Sequence, residues 1–297
     1  MSASADAPPL SGPAEDLRVL FDDGDDRPGT PLHRAFAEVY GGAFDLPDPV
    51  DGRPFTSINF VVSRDGRISF GEPGEVGGAS VNGGCVADVW MMALLRARCD
   101  AVMVGDGTLR AESDHVWTPS HLAVCDTGAF EWLRSHEGRR PVALHVFCSL
   151  TGELPADAAV FGRDDIEIVV ATTEGGRTAA AASVRGRPGT EVVTMGEQRV
   201  DTLALGRWLL AERGVRSLLC EGGPGLYGTM LADGAVDDEF VTLAPTYIGA
   251  HASTGARRPS LVEGASFLPG RAPLSIPISL RRAGHHLLLR SRIEVPT

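Results

Sequence analysis

The chain has 297 residues, 43% of them hydrophobic, which is enough to bury the core of one large domain or two modest ones. Its formal net charge is −12, and eleven acidic residues against four arginines give residues 1–53 a net charge of −7, so the sequence predicts no binding to nucleic acid or to an anionic membrane. All 27 basic residues are arginine, which excludes Schiff-base chemistry on lysine and the lysine of a Walker phosphate loop.

The first 52 residues are predicted to form an acidic N-terminal extension that is partly disordered. Its opening residues lack the basic start and apolar stretch of a signal peptide, and the sequence contains no run of 18 apolar residues. We therefore expect a cytoplasmic protein that does not span a membrane. Two short helices are predicted in this extension, over 14–21 and 31–40.

From residue 53 to residue 297, buried strands alternate with helices, which predicts one α/β domain with a largely parallel sheet. The strands are predicted over 55–63, 100–105, 142–148, 166–173, 191–195, 215–220, 239–245 and 285–295. The helices are predicted over 85–98, 201–213 and 226–232. The last strand alternates apolar and polar residues, so we expect the sheet to end in an antiparallel strand.

The cysteines and histidines do not follow the spacing of a metal site or a disulfide framework. The five cysteines are scattered and never form C-x-x-C, and the eight histidines give no H-E-x-x-H. The sequence therefore predicts reduced thiols and no metal.

Glycines follow a buried strand and precede a helix at two places, 101–110 and 217–228. Glycine lets the backbone turn sharply and lets a ligand approach, and the N-terminus of a helix presents free N–H groups to an anion. Two such corners on neighbouring strands would hold a pyrophosphate without a lysine. Each corner alone could equally be an ordinary loop between a strand and a helix.

The second corner also fits the pattern of a Rossmann dehydrogenase, because Gly223, Gly225 and Gly228 satisfy G-x-G-x-x-G. That fold places an acidic residue about twenty residues further on, at the end of the next strand. Here the next strand ends in the sequence LAP. A Rossmann dehydrogenase is therefore the weaker alternative.

Four segments, in this order, resemble the reductase family of riboflavin biosynthesis. They are SRDGRIS at 63–69, LLRARCDAVMVGDGTLRAE at 94–112, the segment at 218–249 that begins LLCEGGPGLYG, and HHLLLRSR at 285–292. The resemblance implies a dihydrofolate-reductase-like fold, which is a three-layer α/β/α sandwich with a mostly parallel mixed sheet and an antiparallel C-terminal end. It also implies NADPH as cofactor, a small-molecule substrate and a homodimer.

The resemblance implies that the G-T-x-x-x-acid and E-G-G-P motifs supply most contacts to the cofactor. The implied cofactor-binding residues are Val61, Ser80, Gly105, Gly107, Thr108, Glu112, Gly222, Gly223, Pro224, Gly225, Leu226 and Tyr227. Glu112 stands where the family usually has aspartate. Arg110, just past the GDGT turn, could meet a 2′-phosphate or could simply face solvent.

The residues implied to meet the substrate are Asn59, Ser63, Asp65, Asn82 and Glu221. Glu221 and then Asp65 are the catalytic candidates for orienting or protonating it, although an acid beside a helix start can also serve only as a cap. Members of the family commonly carry lysine where this chain has Asn59, and an amide cannot supply a cationic donor. The substrate is therefore predicted only as a pyrimidine ribosylamine, another heterocycle or a carbonyl compound.

The implied reaction is hydride transfer from NADPH to a C=N or C=O carbon, with a proton from a side chain or from water. The alternative from a different class is a nucleotide-binding module without catalysis, and Asn59 is the residue that motivates it.

Overall fold

The runs of β-branched and apolar residues become strands in a computed structural model of the chain, which describes residues 7–75, 77–122 and 125–296. The strands are β1 (Arg18–Asp22), β2 (Gly29–Thr30), β3 (Leu46–Pro47), β4 (Phe55–Val62), β5 (Ala101–Gly105), β6 (Leu144–Ser149), β7 (Ile168–Thr172), β8 (Thr190–Thr194), β9 (Ser217–Cys220), β10 (Asp238–Leu243), β11 (Leu274–Ala283) and β12 (His286–Glu294).

The helices within the described ranges are α1 (Arg34–Tyr40), α2 (Ala79–Asn82), α3 (Val86–Arg98), α4 (Asp106–Ala111), α5 (Thr127–His136), α6 (Arg177–Ser183), α7 (Thr202–Arg213) and α8 (Pro224–Asp233). The helix predicted over 201–213 is found as α7: the Asp201 side chain caps it by accepting a hydrogen bond from Ala204 N, and Gly214 ends it in the left-handed conformation. Over the same residues, no helix is long and apolar enough to cross a membrane.

Ten strands form one mixed sheet in the order β1-β11-β12-β10-β4-β9-β5-β6-β7-β8. The strands from β10 to β8 run parallel to one another, whereas β12, β11 and β1 are antiparallel to their neighbours. The predicted parallel sheet with an antiparallel C-terminal end is therefore confirmed.

The helices cover both faces of the sheet. Because side chains alternate along a strand, Val102 and Val104 of β5 pack with α3 and α5, whereas Ala101 and Met103 pack with α7 and α8. Two hydrophobic cores thus lie on opposite faces of one sheet, which is the predicted three-layer arrangement.

The helix predicted over 14–21 is wrong, because Arg18–Asp22 form β1 and pair antiparallel with β11. Within this strand Val19 and Leu20 are exposed, so backbone pairing rather than burial of an apolar face accompanies its formation. An edge strand leaves a row of unpaired backbone groups, and β1 satisfies those of β11. The helix predicted over 31–40 is found as α1, which begins at Arg34.

Ion pairs hold the N-terminal segment against the main sheet. The Asp25 carboxylate lies 2.6 Å from Arg290 Nη2 of β12, and Arg27 Nη2 lies 2.7 Å from Asp238 Oδ1 of β10. Arg290 and Asp238 also contact each other at 2.8 Å, and both side chains are buried. The division of the chain at residue 52 and the partial disorder before it stay predictions.

Candidate functional site

A cleft of about 1220 Å³ opens at the carboxyl ends of β4, β9 and β5. Because β9 is inserted between β4 and β5, the connections leave in different directions here, and ligands of open α/β sheets bind at such crossovers. The cleft brings together most of the implied site residues. Those that line it are Asn59, Val61, Asn82, Gly105, Gly107, Thr108, Glu112, Glu221, Gly222, Gly223, Pro224, Gly225 and Leu226.

The two glycine corners predicted from the sequence lie side by side in this cleft. Gly105 N donates to Gly222 O at 3.0 Å, so the end of β5 is bonded directly to the turn after β9. Gly222 has a φ of +145°, and a Cβ there would lie 2.7 Å from Thr108 Oγ1. The contact between the corners therefore requires glycine at position 222.

The helix that follows the second corner presents unsatisfied backbone groups to the cleft. Gly223 is the N-cap of α8 and makes no side-chain cap hydrogen bond, so the N–H groups of the first turn have no partner in the helix. Nothing lies within 4 Å of a Cβ built on Gly225. This open, N–H-rich surface fits the pyrophosphate of a dinucleotide, which the positive end of the helix dipole would also favour.

An ion pair between Arg96 of α3 and Glu221 lies beside these glycines. Arg96 Nε donates to Oε1 at 2.8 Å and Nη2 donates to Oε2 at 2.5 Å, so the contact is bidentate. The two side chains are only 1% and 5% exposed. Arg96 Nη1 donates to the carbonyl of Thr118 at 3.1 Å. The cleft therefore contains a fixed cation although position 59 carries an amide.

His115 and Glu112 extend this charged group. His115 Nε2 lies 2.9 Å from Arg96 Nη2 and accepts its N–H, which leaves the proton on Nδ1. Burial, and then the charge of Arg96, lower the pKa of His115 to about 3, so the imidazole is neutral at neutral pH. Burial, and then the charge of Glu221, raise the pKa of the Glu112 carboxyl. Glu112 Oε2 lies 3.8 Å from His115 Nδ1.

A second buried carboxyl, Asp88, lines the cleft from the first turn of α3. Asn82 Nδ2 donates to Asp88 Oδ2 at 2.5 Å, and the Thr242 hydroxyl also hydrogen-bonds to Asp88. Burial raises the pKa of Asp88, and these two hydrogen bonds oppose that shift. Asp88 and Arg96 are eight residues apart and lie on one stripe of α3.

Asp65 and Ser63 do not line the cleft. The Ser63 hydroxyl donates to Asp65 Oδ1 at 2.7 Å, and the backbone N–H groups of Ile248 and Gly249 donate to the same carboxylate. The Ser63 hydrogen bond, and then these N–H groups, lower the pKa of Asp65 to about 2. Asp65 thus favours its ionised form and joins two loops, and contacts of Asp65 and Ser63 to a substrate stay predictions.

Ser80 and Tyr227 also lie outside the cleft lining. The Ser80 hydroxyl donates to Glu75, and the Tyr227 hydroxyl donates to Glu239 Oε2 at 2.7 Å in the buried interior. Tyr227 belongs to the core on the α7 and α8 side of the sheet. Contacts of these two residues to a cofactor stay predictions that this geometry does not support.

The arginines that line the cleft, among the residues described, are Arg96 and Arg199. Arg199 lies between β8 and α7 with its side chain 58% exposed, and Nη1 contacts Asp233 Oδ1 at 2.7 Å. Arg110, for which the sequence suggested a phosphate contact, lies outside the lining and donates from Nη2 to the carbonyl of Glu153 at 2.6 Å. Arg199 is therefore the better candidate for a 2′-phosphate.

A family model described as the RibD C-terminal domain matches residues 54–267, which is more than half of the chain. The chain belongs to the RibD C-terminal domain family. A curated relative in Archaeoglobus fulgidus, named 2,5-diamino-6-ribosylamino-4(3H)-pyrimidinone 5′-phosphate reductase, is 30% identical over 217 residues, which cover 73% of this chain and 89% of the relative. A relative of the same name in Methanothermobacter thermautotrophicus is 28% identical over 66% of this chain and 80% of its own.

Two solved structures share the fold. A pyrimidine reductase-like protein from Corynebacterium diphtheriae has a TM-score of 0.58 at 18% identity, over 81% of this chain and 92% of its own. Acinetobacter baumannii RibD has a TM-score of 0.58 at 17% identity, over 82% of this chain but only 59% of the RibD chain. At these identities the likeness shows the fold alone, and the predicted dihydrofolate-reductase-like sandwich is confirmed.

The Rossmann alternative is wrong for this member of the RibD C-terminal domain family. In a Rossmann unit, the strand before the glycines and the strand after the helix are neighbours in the sheet. Here the glycines follow β9, and the next strand, β10, is separated from β9 by β4. The third glycine of the pattern, Gly228, serves packing instead, because a Cβ there would lie 2.1 Å from the Glu263 carbonyl oxygen.

Sequence reasoning missed Asp88, Arg96, His115 and Arg199 as residues of the cleft. Arg96 was in a motif that carried the resemblance, but the same motif contains Arg98, which is buried and pairs with Glu137. Only the docking of α3 on the sheet distinguishes the two arginines. For Asp88, the available indication was an acid within an otherwise apolar helix.

Proposed function

We propose that the chain is an NADPH-dependent reductase that adds a hydride to the carbon of a C=N or C=O group in a pyrimidine ribosylamine or a related heterocycle. The observation that carries this proposal is the shared cleft, where a glycine-lined helix N-terminus lies beside the Arg96–Glu221 pair. The curated relatives' name specifies a ribosylamino-pyrimidinone 5′-phosphate. That compound is therefore the first substrate to test.

The glycine corners would bind the pyrophosphate of the cofactor through backbone N–H groups of the first turn of α8. A reduced nicotinamide supplies a hydride when it is bound there. Thr108 and Glu112 line the adjoining wall and would contact the ribose or the nicotinamide. Arg199, at the mouth of the cleft, would meet the 2′-phosphate that distinguishes NADPH from NADH.

The polar side chains of the cleft, beside the glycine corners, would orient the substrate. Asn59 and Asn82 each offer an amide, which can donate and accept hydrogen bonds as the edge of a pyrimidinone requires. The bidentate contact fixes the positions of Arg96 and Glu221, so these charges are in place before the substrate arrives. Glu221 is the proposed substrate-orienting carboxylate.

Fluorescence titration of the purified chain with NADPH and NADH is the first test. Adding the ribosylamino-pyrimidinone 5′-phosphate and following the loss of reduced-nicotinamide absorbance is the second. No binding of either dinucleotide would overturn the proposal. A roughly thousandfold preference for NADH, about 4 kcal/mol, would overturn only the choice of NADPH.

Binding of NADPH without hydride transfer to any pyrimidine, pterin or carbonyl substrate would favour the alternative of a nucleotide-binding module. The presence of Asn59 in the cleft is the observation on which that alternative rests. A homodimer and a cytoplasmic location also belong to this proposal. Light scattering of the purified chain tests the first, and cell fractionation tests the second.

A further inference from the structure

We propose that Asp88 is a catalytic residue that gives the substrate the proton needed to complete its reduction. The inference rests on the proposed function, because a proton is required only if a hydride is transferred to the substrate. It concerns a residue that no motif singled out and whose position is set by α3, α2 and β10 together.

The location of Asp88 places its carboxyl over the part of the sheet where Asn59 lies. Thr242 of β10 is in register with Val61 of β4, and side chains alternate along the strand, so Asn59, Val61 and Thr242 face the same side. Asp88 hydrogen-bonds to Thr242 and lines the cleft together with Asn59 and Val61. An amide at position 59 can hold a substrate atom, but it cannot transfer a proton to it, whereas the neighbouring carboxyl can.

The surroundings of Asp88 differ from those of Glu221, a second buried carboxyl that lines the cleft beside α3. Glu221 is held by both Nε and Nη2 of Arg96, which requires a carboxylate with both oxygens accepting. Asp88 makes no salt bridge within the described part of the chain, and its side chain is buried. Burial without an ion pair disfavours the charged carboxylate, and this is the direction in which the pKa of Asp88 is shifted.

The groups that face Asp88 come from four elements. Asn82 of α2 and Thr242 of β10 hydrogen-bond to it, His286 of β12 favours its ionised form, and Glu221 after β9 favours its neutral form. His286 Nε2 lies 2.9 Å from the backbone carbonyl oxygen of Asn82, so His286 anchors the main chain that carries the Asn82 side chain. Burial is the largest influence and raises the pKa of Asp88.

Hydride addition forms a C–H bond, and the π electron pair of the C=N or C=O group moves to nitrogen or oxygen. The O–H bond of Asp88 breaks, its proton forms the new N–H or O–H bond, and Asp88 is left as a carboxylate. The hydride donor is oxidised, the substrate is reduced by two electrons, and Asp88 regains a proton from water before the next cycle.

The first test is difference infrared spectroscopy at neutral pH of the full chain against its Asp88→Asn variant. The expected result is the carbonyl band of a protonated carboxylic acid that disappears in Asp88→Asn and persists in Glu112→Gln, the matched control at a half-buried carboxyl that also lines the cleft. This measurement needs neither cofactor nor substrate. The proposal would be overturned if the unmodified chain showed no such band at neutral pH. It would also be overturned if the band disappeared in Glu112→Gln and persisted in Asp88→Asn.

The second test measures turnover of the ribosylamino-pyrimidinone 5′-phosphate with NADPH. Asp88→Asn should lower kcat by about 100-fold or more, the usual contribution of a general acid, with unchanged affinity for NADPH. The wild-type kcat should fall as pH rises through the Asp88 pKa, and this limb should be missing in Asp88→Asn. Equal kcat in both chains would overturn the role of Asp88 while leaving the proposed function intact, whereas an inactive wild-type chain would overturn both.

Thr242→Val provides a second variant in case Asp88→Asn does not fold. Thr242 does not line the cleft, and its hydrogen bond to Asp88 favours the ionised carboxylate. Loss of this hydrogen bond in Thr242→Val should therefore raise the pH at which kcat falls. A limb that stays in place or moves to lower pH would contradict the assignment.

Discussion

The cleft has two adjoining parts, called the nucleotide end and the polar end, which are built in different ways. The nucleotide end, residues 105–108 and 222–226, is made mainly of backbone from two glycine turns on adjacent strands. The polar end, formed by Asn59, Asn82, Asp88, Arg96 and Glu221, is made of side chains from four separate parts of the chain. The nucleotide end depends on local sequence, whereas the polar end depends on how α3 docks against the sheet.

The polar end should be the more sensitive to loss of a single charge. Arg96→Met leaves the buried Glu221 carboxylate unpaired, so we expect a loss of about 3–5 kcal/mol in the free energy of unfolding as well as loss of activity. Urea denaturation measures the first and NADPH oxidation measures the second.

The double variant Arg96→Met with Glu221→Gln is the control for this effect. Because it removes both charges, it should regain part of the stability that Arg96→Met loses. A double variant as unstable as the sum of the two single variants would show that the pair is not coupled in this way.

The nucleotide end should be sensitive to bulk rather than to charge. Gly225→Val adds a side chain where nothing lies within 4 Å, so the fold should persist while the side chain fills the cleft at the start of α8. We expect about a 100-fold loss of NADPH affinity, or about 2.7 kcal/mol, by fluorescence titration.

Gly128→Val is the matched control for the nucleotide end. Gly128 is also the second residue of a helix, α5, is exposed and has nothing within 4 Å of its Cβ. The Gly128→Val variant should bind NADPH with the same affinity as the unmodified chain. A similar loss in both variants would indicate that helix packing, not obstruction of the cleft, is responsible.

The raised pKa of Asp88 should make the stability of the folded chain depend on pH, an effect that the residues of the nucleotide end should not produce. A raised pKa means that the folded chain keeps this proton at pH values where the unfolded chain, with a usual aspartate pKa of 3.8, has lost it. Stability should therefore fall as pH rises above this value, by at most about 1.4 kcal/mol per pH unit, until the folded-state pKa is passed. Thermal unfolding of Asp88→Asn from pH 4 upward should lack this contribution, and parallel curves for the two chains would argue against it.

Arg199 should give the smallest effect, because it is largely exposed. Arg199→Ala should weaken binding of NADPH about fivefold, close to 1 kcal/mol, and should leave NADH binding unchanged. Arg110→Ala, outside the cleft, is the control and should change neither. An equal loss of affinity for NADPH and NADH in Arg199→Ala would contradict a contact between Arg199 and the 2′-phosphate.

The difference between the nucleotide end and the polar end also explains which residues of the cleft could be predicted from the sequence. The GDGT and EGGP turns were identified because a strand, its glycines and the following helix are contiguous in the chain. Their pairing through Gly105 and Gly222 follows from the order of the parallel strands. Arg96 could not be chosen over Arg98 from the sequence, since both are buried on one helix and only their partners differ.

β11 and β1, the two outermost strands of the antiparallel edge, were the least predictable part of the fold. β11 contains Pro277 within a strand, which argues against a strand in a sequence, and the structure accommodates it with a register shift between Pro277 and Ser279. β1 has no buried face and forms because β11 offers it unpaired backbone groups. Neither property is visible in local hydrophobic patterns.

The most direct test of the account is transfer of deuterium from NADPH labelled at nicotinamide C4 to the ribosylamino-pyrimidinone 5′-phosphate. The account predicts deuterium on carbon in the reduced product for the unmodified chain and for Gly128→Val, with little product from Gly225→Val. Binding of NADPH without any deuterated product would contradict a reductase, and equal product from Gly225→Val would contradict the assignment of the cleft.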